Sequence, residues 1–235
     1  MIKNIIWDRL YDIFADIYIK LNFVNPIETG RITGNLFVVR TGTANFYIYK
    51  NGKYLIAFDC GYGKSQIKRE LLSLGIKPED ITHLFLTHSD FDHAKGLSVF
   101  EKAEIYLSSD EEQLITGKKA RKFGIIYNFR IKRRYHLLND NDIVTVGSTK
   151  IKAIATPGHT TGSMSYLIDN EKILIIGDAF RIIKGKVYPI KLYNMDSKKH
   201  RESIRKLAYI EDVKLVCTGH RGYYDRFDDA IRHWR

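Results

Sequence analysis

Cysteine and long apolar runs are scarce in this chain of 235 residues. Its two cysteines, Cys60 and Cys217, are too few and too far apart for a disulfide framework, and neither belongs to a CxxC pair, so a thiolate zinc site is not expected. We expect both to be small buried residues at strand ends. No run approaches the roughly 18 apolar residues of a membrane span. Early charges at Lys3 and Asp8 interrupt the N-terminus too soon for a signal peptide, so we expect a cytoplasmic protein.

Acidic residues are also in deficit, 27 against 38 basic ones, which leaves a formal net charge of +11. Such an excess could attract nucleic acid, anionic lipid or an anionic small molecule. We favour the simpler interpretation of a Lys-rich surface, because Ile and Lys are abundant along the whole chain. Nucleic acid is therefore a less favoured partner than a small anionic substrate.

Basic residues are densest in the stretch 118–134, where they alternate with aromatic ones. The basic members are Lys118, Lys119, Arg121, Lys122, Arg130, Lys132, Arg133 and Arg134, and the aromatic ones are Phe123, Tyr127 and Phe129. The stretch could be a lid over a cleft or a nucleic-acid surface. A charged, solvent-facing insertion explains it equally well.

Apolar residues recur at helical spacing over 2–21, before Asn25 and Pro26 interrupt the pattern. The spacing predicts a helix that packs on the body of the protein, and a membrane-interfacial or dimer-forming helix is the alternative. We therefore predict an N-terminal helical extension over 1–25 and a single domain over 26–235. A homodimer is compatible with this arrangement.

The remainder of the chain alternates between groups of strands and helices. Predicted strands are 36–39, 45–49, 54–58, 81–87, 105–107, 143–146, 151–155, 165–168, 173–176 and 213–217. Helices are predicted at 64–74, from about Asp92, and at 109–116, 197–209 and 225–234. This order predicts an α/β (α+β) protein in which two sheets pack face to face with helices outside. No GxGxxG follows the first strand, which argues against a doubly wound nucleotide fold.

One loop concentrates residues that bind metals. The segment Thr87-His88-Ser89-Asp90-Phe91-Asp92-His93 follows a buried strand and carries four potential ligands within six residues. A strand end is rigid, and the loop after it can turn several side chains into one cleft. Imidazole nitrogens and carboxylate oxygens together suit divalent metal ions.

Three more segments repeat this placement. His159, Asp178 and His220 each come just after an apolar strand and beside a glycine, in TPGHTTGS, GDA and TGHRG. Glycine lets the backbone turn tightly and approach a ligand. Core packing does not account for four such coincidences, so the sequence predicts a metal centre at one edge of the sheets.

These segments resemble the metallo-β-lactamase-fold hydrolase superfamily from about residue 34 to residue 220. The family's HxHxDH motif matches 88–93 except at Asp90, and the TPGHTTGS segment is similar to that of glyoxalase II and lactonase relatives. The resemblance implies a four-layer αββα sandwich. By motif, it assigns one metal to His88, Asp90 and His159 and the other to Asp92, His93 and His220, with Asp178 bridging and Asp59 behind the ligands.

The resemblance also implies a hydrolase that holds two divalent metal ions, with zinc the favoured metal. Such an enzyme attacks its substrate with a metal-bound hydroxide. Asp92 would orient this nucleophile and protonate the leaving group. Asp178 argues against a true β-lactamase, because that branch generally lacks the bridging Asp. Asp90 departs from the usual His, and its extra carboxylate would favour manganese or iron over zinc. Alternatively, Asp90 binds weakly and only one metal is tight.

Substrate residues are less evident. The lactonase relatives carry a Tyr shortly after the bridging Asp, and this chain has Arg181 there, with Tyr188 and Tyr193 nearby. Arg181 would suit a carboxylate or phosphate. Lys95 is either a solvated residue or a second anion contact.

The leading hypothesis is hydrolysis of an anionic ester, thioester or lactone. The alternatives are a phosphodiesterase or nuclease, a diiron protein that responds to oxygen or redox state, and a basic binding module that keeps the metal only for structure.

Overall fold

Two large β-sheets organise the computed structural model, which describes residues 24–124, 131, 133–191 and 193–235. The predicted N-terminal helix over 2–21 lies outside the described residues, as do 125–130 and 132 of the basic stretch. Within the described part of the chain, no helix has the length and hydropathy needed to cross a lipid bilayer.

The first sheet has seven strands in sequence order. They are β1 (Gly30–Arg31), β2 (Leu36–Thr41), β3 (Ala44–Asn51), β4 (Tyr54–Phe58), β5 (Ile81–Phe85), β6 (Glu104–Ser108) and β7 (Tyr135–Leu138). The strands β1 to β4 pair antiparallel, and β4 to β7 pair parallel. The predicted Asn51-Gly52 turn closes the β3–β4 hairpin, with Gly52 at φ 59.

The second sheet has six strands in the order β15-β14-β11-β10-β9-β8. Its strands are β8 (Ile143–Val146), β9 (Thr149–Ala155), β10 (Met164–Ile168), β11 (Ile173–Gly177), β14 (Leu215–Thr218) and β15 (Gly222–Tyr224). Neighbours pair antiparallel except β11 and β14, which run parallel. A separate hairpin consists of β12 (Arg181–Ile183) and β13 (Lys186–Tyr188).

Five α-helices complete the described part. They are α1 (Lys64–Ser73), α2 (Phe91–Ala94), α3 (Glu112–Ile115), α4 (Ser197–Ala208) and α5 (Phe227–Ile231). Short 3₁₀ turns occur at Pro78–Asp80, Lys95–Val99, Lys122–Gly124 and Arg232–Trp234. The longest of them, α4, is capped by Asp196, whose side chain accepts hydrogen bonds from the backbone N–H groups of Lys198 and Lys199.

The core has three layers of apolar contacts because both faces of each sheet are covered. Alternate residues of β3 divide between them: Tyr47 and Tyr49 face the second sheet, whereas Phe46 and Ile48 face the helices outside the first. On the other side, a third cluster joins the second sheet to α4 and α5. The predicted αββα sandwich is therefore confirmed, with the largest core between the sheets.

The predicted strands and helices are present with shifted ends. The helix expected at 109–116 spans only Glu112–Ile115, and the last helix ends as a 3₁₀ turn. Strands β1, β7 and β15 and the hairpin β12–β13 lie outside the predicted strands. Cys60 and Cys217 are free and buried, as expected.

Tyr47 connects the two sheets by a polar contact inside the apolar core. Its hydroxyl lies 2.8 Å from the carbonyl oxygen of Thr218 and 2.9 Å from that of Gly222, and donates to this pair. These two carbonyls flank the loop that carries His220. The phenol therefore fastens a loop of the second sheet to a strand of the first.

We expect Tyr47→Phe to lower the free energy of unfolding by about 1–2 kcal/mol, because the buried carbonyl oxygen of Thr218 loses the phenol donor, while that of Gly222 keeps the Thr218 hydroxyl. Tyr49→Phe is the matched control. Its hydroxyl bonds the exposed Glu171, so its loss should cost less than about 0.5 kcal/mol. Urea denaturation of both variants measures the difference. Equal stability of the Tyr47→Phe variant and the natural chain would contradict this role.

Candidate metal centre

The segments predicted to bind metal meet at one edge of the sandwich. His88 and His93 follow β5, His159 follows β9, Asp178 follows β11 and His220 follows β14. Close packing at this edge requires glycine at Gly219. A Cβ there would lie 2.6 Å from Asp178 Oδ1 and 2.6 Å from His93 Cε1. The loop of the second sheet can therefore approach the carboxylate only without a side chain at this position.

The ligand-type side chains form two groups of three. In each group one ligand atom per residue lies within 4.8 Å of the others: His88, His159 and Asp178 form the first group, and Asp92, His93 and His220 form the second group. Asp178 also borders the second group, because its Oδ2 lies 3.4 Å from His159 Nε2 and 3.1 Å from His220 Nε2. This is the position that a carboxylate shared by two cations would need.

Two polar atoms in these groups fit a metal better than they fit a protein interior. His88 Nε2 and Asp178 Oδ1 are buried, and neither has a hydrogen-bond partner among the described residues. Buried polar atoms are normally paired, and a divalent cation bound by this imidazole nitrogen and this carboxylate oxygen would satisfy both. The donor set of imidazole and carboxylate suits zinc and its neighbours.

Asp59 orients two of the histidines. Its Oδ2 accepts a hydrogen bond from His93 Nδ1 at 2.8 Å and another from the Thr87 hydroxyl at 2.8 Å, and its Oδ1 accepts from the Thr87 backbone N–H. Because the Thr87 hydroxyl donates to Asp59, it accepts from His88 Nδ1, which lies 2.9 Å away. Both rings are thus held with Nε2 toward the centre of the site.

The other two histidines are held in the same way. His159 Nδ1 lies 3.1 Å from Asn194 Oδ1, and His220 Nδ1 lies 2.8 Å from the Thr43 carbonyl oxygen. A carbonyl oxygen only accepts, so each Nδ1 carries a proton and each Nε2 faces the centre of the site. Asn194 is 2% exposed and was not predicted from the sequence.

The site is strongly negative around the second group. Burial lowers the pKa of His93, but Asp178 and Asp59 more than offset this and raise it to about 10. Burial likewise opposes the charged form of His220, yet Asp178 raises its pKa to about 9. His88 differs, because burial holds its pKa well below the usual range. The carboxylates therefore favour positive charge beside His93 and His220, where a proton substitutes for a metal ion.

Asp90 lies beside the first group but is engaged by arginine. Arg121 Nε donates to Asp90 Oδ1 at 2.9 Å, and Arg121 Nη2 donates to Oδ2 at 2.8 Å. Burial alone would raise the pKa of the Asp90 carboxyl, but Arg121 and His159 hold it well below its usual range. Asp90 is not a member of either group of three among the described residues. Arg121 itself is 4% exposed, so the solvent-facing interpretation of the basic stretch is wrong at this residue.

Glu111 joins the two main loops of the site and was also not predicted. Its Oε1 accepts from the backbone N–H and hydroxyl of Ser89, and its Oε2 accepts from the Thr160 hydroxyl and the Gly162 N–H. Glu111 is 1% exposed, and burial raises the pKa of its carboxyl despite these donors. The loop of His88 and the loop of His159 are thereby fixed to one carboxyl group.

The predicted substrate residues surround the site less tightly. Arg181 is half-buried at the start of β12, and its Nε is buried without a hydrogen-bond partner among the described residues. Burial and the charge of Arg181 together lower the pKa of Arg221, which follows His220. Tyr188 and Tyr193 have exposed side chains. Lys95 is exposed and its Nζ lies 5.6 Å from the centre of the Phe91 ring, as expected for a solvated residue.

The sequence model described as "Metallo-beta-lactamase superfamily" matches residues 39–220, which contain every member of both groups. The chain belongs to the metallo-β-lactamase superfamily. Its relatives include "Probable metallo-hydrolase YqgX" of Bacillus subtilis (strain 168), 27% identical over 75% of this chain and 84% of that protein. The hydroxyacylglutathione hydrolase of Bartonella tribocorum (strain CIP 105476 / IBS 506) is 29% identical over 58% of this chain.

This chain spans only 47% of the length of the Bartonella relative. Among solved structures, the subclass B3 metallo-β-lactamase MEM-A1, isolated from a soil metagenome library, superposes with a TM-score of 0.65. The superposition covers 83% of this chain and 80% of the MEM-A1 chain, with 21% sequence identity, and shows that the two proteins share the fold. The predicted family and the predicted class of metal-dependent hydrolase are confirmed by these relationships, whereas the individual ligands remain predictions.

We expect Asp59→Asn to weaken metal binding by about 10–100-fold, because an amide cannot accept every hydrogen bond that now orients His93 and Thr87. Asp59 has φ 63, a conformation that Asn tolerates, so the backbone should not be strained further. Competition with a chromophoric chelator measures the affinity. Asp225→Asn, at an exposed carboxylate, is the control and should bind metal like the natural chain. Unaltered affinity in the Asp59→Asn variant would argue against its orienting role.

Proposed function

We propose that this protein hydrolyses a small anionic ester, thioester or lactone with two divalent metal ions. The observation that supports this most is the pairing of the first and second groups through Asp178, with His88 Nε2 and Asp178 Oδ1 left for cations. We propose His88, His159 and Asp178 for the first ion and Asp92, His93 and His220 for the second. Zinc suits the four imidazoles best, and manganese or iron remains an alternative.

Bound divalent cations would supply a water molecule that loses a proton near neutral pH and positive charge for the oxygen of the scissile group. The chain's own residues then position the reactants. Asp178 lies between the groups, where its Oδ2 is equally available to both. Each imidazole uses its Nδ1 in a hydrogen bond, so Nε2 is the nitrogen that it can offer to a cation.

Asp92 is the residue that we propose to carry the proton. Its Oδ2 accepts a hydrogen bond from the Thr43 hydroxyl at 2.9 Å and lies 3.8 Å from His220 Nε2. Unlike Asp59 and Asp178, Asp92 is half-buried, so it can reach an incoming molecule. Thr43 holds the carboxylate in one orientation. Asp92 can then accept the proton of the attacking water and return it to the leaving group.

Arg181 and Arg221 support an anionic substrate. Both are half-buried near the ends of strands that carry Asp178 and His220, and each lies within electrostatic range of the other. Two neighbouring guanidinium groups repel one another, so a carboxylate or phosphate between them would be stabilised. We propose that they bind the charged end of the substrate, with Tyr193 as a further contact.

The thioester class takes support from the Bartonella relative, which is named a hydroxyacylglutathione hydrolase. About half of that protein has no counterpart in the match, so glutathione itself is not part of our proposal. A phosphodiester substrate is the second candidate, favoured by the two arginines and the net charge of +11. The redox hypothesis rested on the extra carboxylate at Asp90, and the Arg121 guanidinium offsets that charge.

We expect Asp92→Asn to reduce kcat on every responsive ester, thioester or lactone by about 10²-fold or more, because the amide cannot accept the proton. Stopped-time assays with a panel of the three substrate classes and bis(p-nitrophenyl) phosphate measure this. Metal content determined on the same samples separates loss of the proton carrier from loss of a ligand. Turnover by the Asp92→Asn variant at the natural rate would contradict the mechanism, and activity on the phosphodiester alone would favour the second candidate.

We expect Arg181→Gln and Arg221→Gln each to raise KM for p-nitrophenyl hemisuccinate about tenfold, because each removes a charge-assisted hydrogen bond. KM for the neutral p-nitrophenyl acetate should stay within about twofold, since that ester offers no anion. Arg205→Gln, on the outer helix α4, removes the same charge at an exposed position and is the control. Equal changes with both esters would show that the arginines do not select charge.

A further inference from the structure

The basic stretch contains one arginine that does not behave like its neighbours. Lys118 and Lys119 are exposed, whereas Arg121 is buried and extends into the metal centre. Besides its two bonds to Asp90, the guanidinium donates through Nη1 to the carbonyl oxygen of Tyr193. Its Nη2 also lies 3.2 Å from His159 Nε2. A guanidinium held by three elements of the site has one defined position.

That position is next to the atoms that would bind the first cation. Asp90 Oδ2 lies 3.1 Å from His159 Nε2 and 3.7 Å from His88 Nε2, so this oxygen borders the donors of the first group. Without Arg121, Asp90 would offer the first group a fourth and anionic donor. With Arg121, both carboxylate oxygens already have a cationic partner.

The second group has a different electrostatic surrounding. His93 Nδ1 lies 2.8 Å from Asp59 Oδ2, and its Nε2 lies 3.6 Å from Asp178 Oδ1. His220 Nε2 lies 3.8 Å from Asp92 Oδ2, so the nearest charged groups at both rings are carboxylates. The two metal positions therefore differ in charge, although each has three donors. Coulomb's law makes the position beside a fixed guanidinium less favourable for a divalent cation.

We propose that Arg121 is a metal-selecting residue, which makes the first position the weaker of the two and withholds the Asp90 carboxylate from the metal there. This inference rests on the proposed function only in its assignment of the two groups to metals. A neutral Asp90–Arg121 pair leaves the first position with imidazoles and the shared Asp178. Such a donor set favours zinc, whereas a free Asp90 carboxylate would favour a harder ion such as manganese.

Stepwise titration of the chelator-treated protein, residues 1–235, with Zn²⁺ or Mn²⁺ in a calorimeter tests the inference. In the natural chain we expect one tight and one weaker step. Arg121→Gln should tighten the weaker step for Mn²⁺ about tenfold or more, and for Zn²⁺ by less, because it frees Asp90. Asp90→Asn should loosen the weaker step, because the guanidinium then has no carboxylate to balance it.

Arg133→Gln is the matched control. It removes the same charge from the same stretch, but its guanidinium bonds the backbone carbonyls of Phe100 and Ala103, so both steps should stay unchanged. In the Asp90→Asn background, Arg121→Gln should tighten the weaker Mn²⁺ step by a factor at least threefold smaller than in the natural chain. The reason is that no carboxylate is left for the substitution to release.

A folded Arg121→Gln variant whose weaker step is unchanged or looser for Mn²⁺ overturns the inference. If that variant does not fold, Arg121→Lys replaces it in the test. An ammonium group cannot bond both Asp90 carboxylate oxygens, so the weaker Mn²⁺ step should tighten by a smaller factor. No tightening in this variant overturns the inference. Metal titration needs no substrate. Protein that shows this binding pattern but hydrolyses nothing would therefore refute the proposed function alone.

Discussion

The hydrogen bonds that Asp59 accepts are the constraint on which the candidate metal centre depends. One buried carboxylate fixes His93 directly and His88 through Thr87, and these two rings belong to different groups. The residue adopts φ 63, which an L-amino acid enters at some cost. The three donors that surround the carboxylate compensate for it. One residue at the end of β4 therefore sets the orientation of a histidine in each of the two groups.

A second buried carboxylate, that of Glu111, fixes a loop of the first sheet to a loop of the second. Glu111 accepts four hydrogen bonds, two from the loop of His88 and two from the loop of His159. Burying a carboxyl group is costly unless its oxygens are satisfied, and here both are. The two loops come from opposite sheets, so their separation is set by the size of one side chain. A Cβ at Gly162 would lie 2.1 Å from the Glu111 backbone nitrogen, which shows how close the loops are.

Sequence patterns predicted the fold and the ligand-type residues well because those features repeat locally. His88, His159, Asp178 and His220 each follow an apolar strand, and the strand pattern places strand ends at one edge. Glu111, Asn194 and Arg121 gave no such signal. Glu111 lies in an acidic turn and Arg121 in a basic run, and both are typical of surfaces; only the tertiary fold buries them.

The unpredicted hairpin β12–β13 has a similar explanation. Its turn is Lys184-Gly185, with φ 48 and 72, and lacks the Asn-Gly or Asp-Gly pair that makes such turns recognisable. Its strands are three residues long, too short for an alternating pattern to emerge. The missed features are therefore those whose cause lies in contacts between distant residues, which a linear pattern does not contain.

The placement of the ligands on opposite sheets has a consequence for folding. The first group joins His88, after the first sheet, to His159 and Asp178 of the second, and the second group joins Asp92 and His93 to His220. A cation bound by either group would cross-link the two halves of the chain. The longest loop that it would close runs from Asp92 to His220, about 130 residues. Closing such loops removes conformational freedom from the unfolded chain, so a cation bound at this edge would fasten the two halves of the sandwich together.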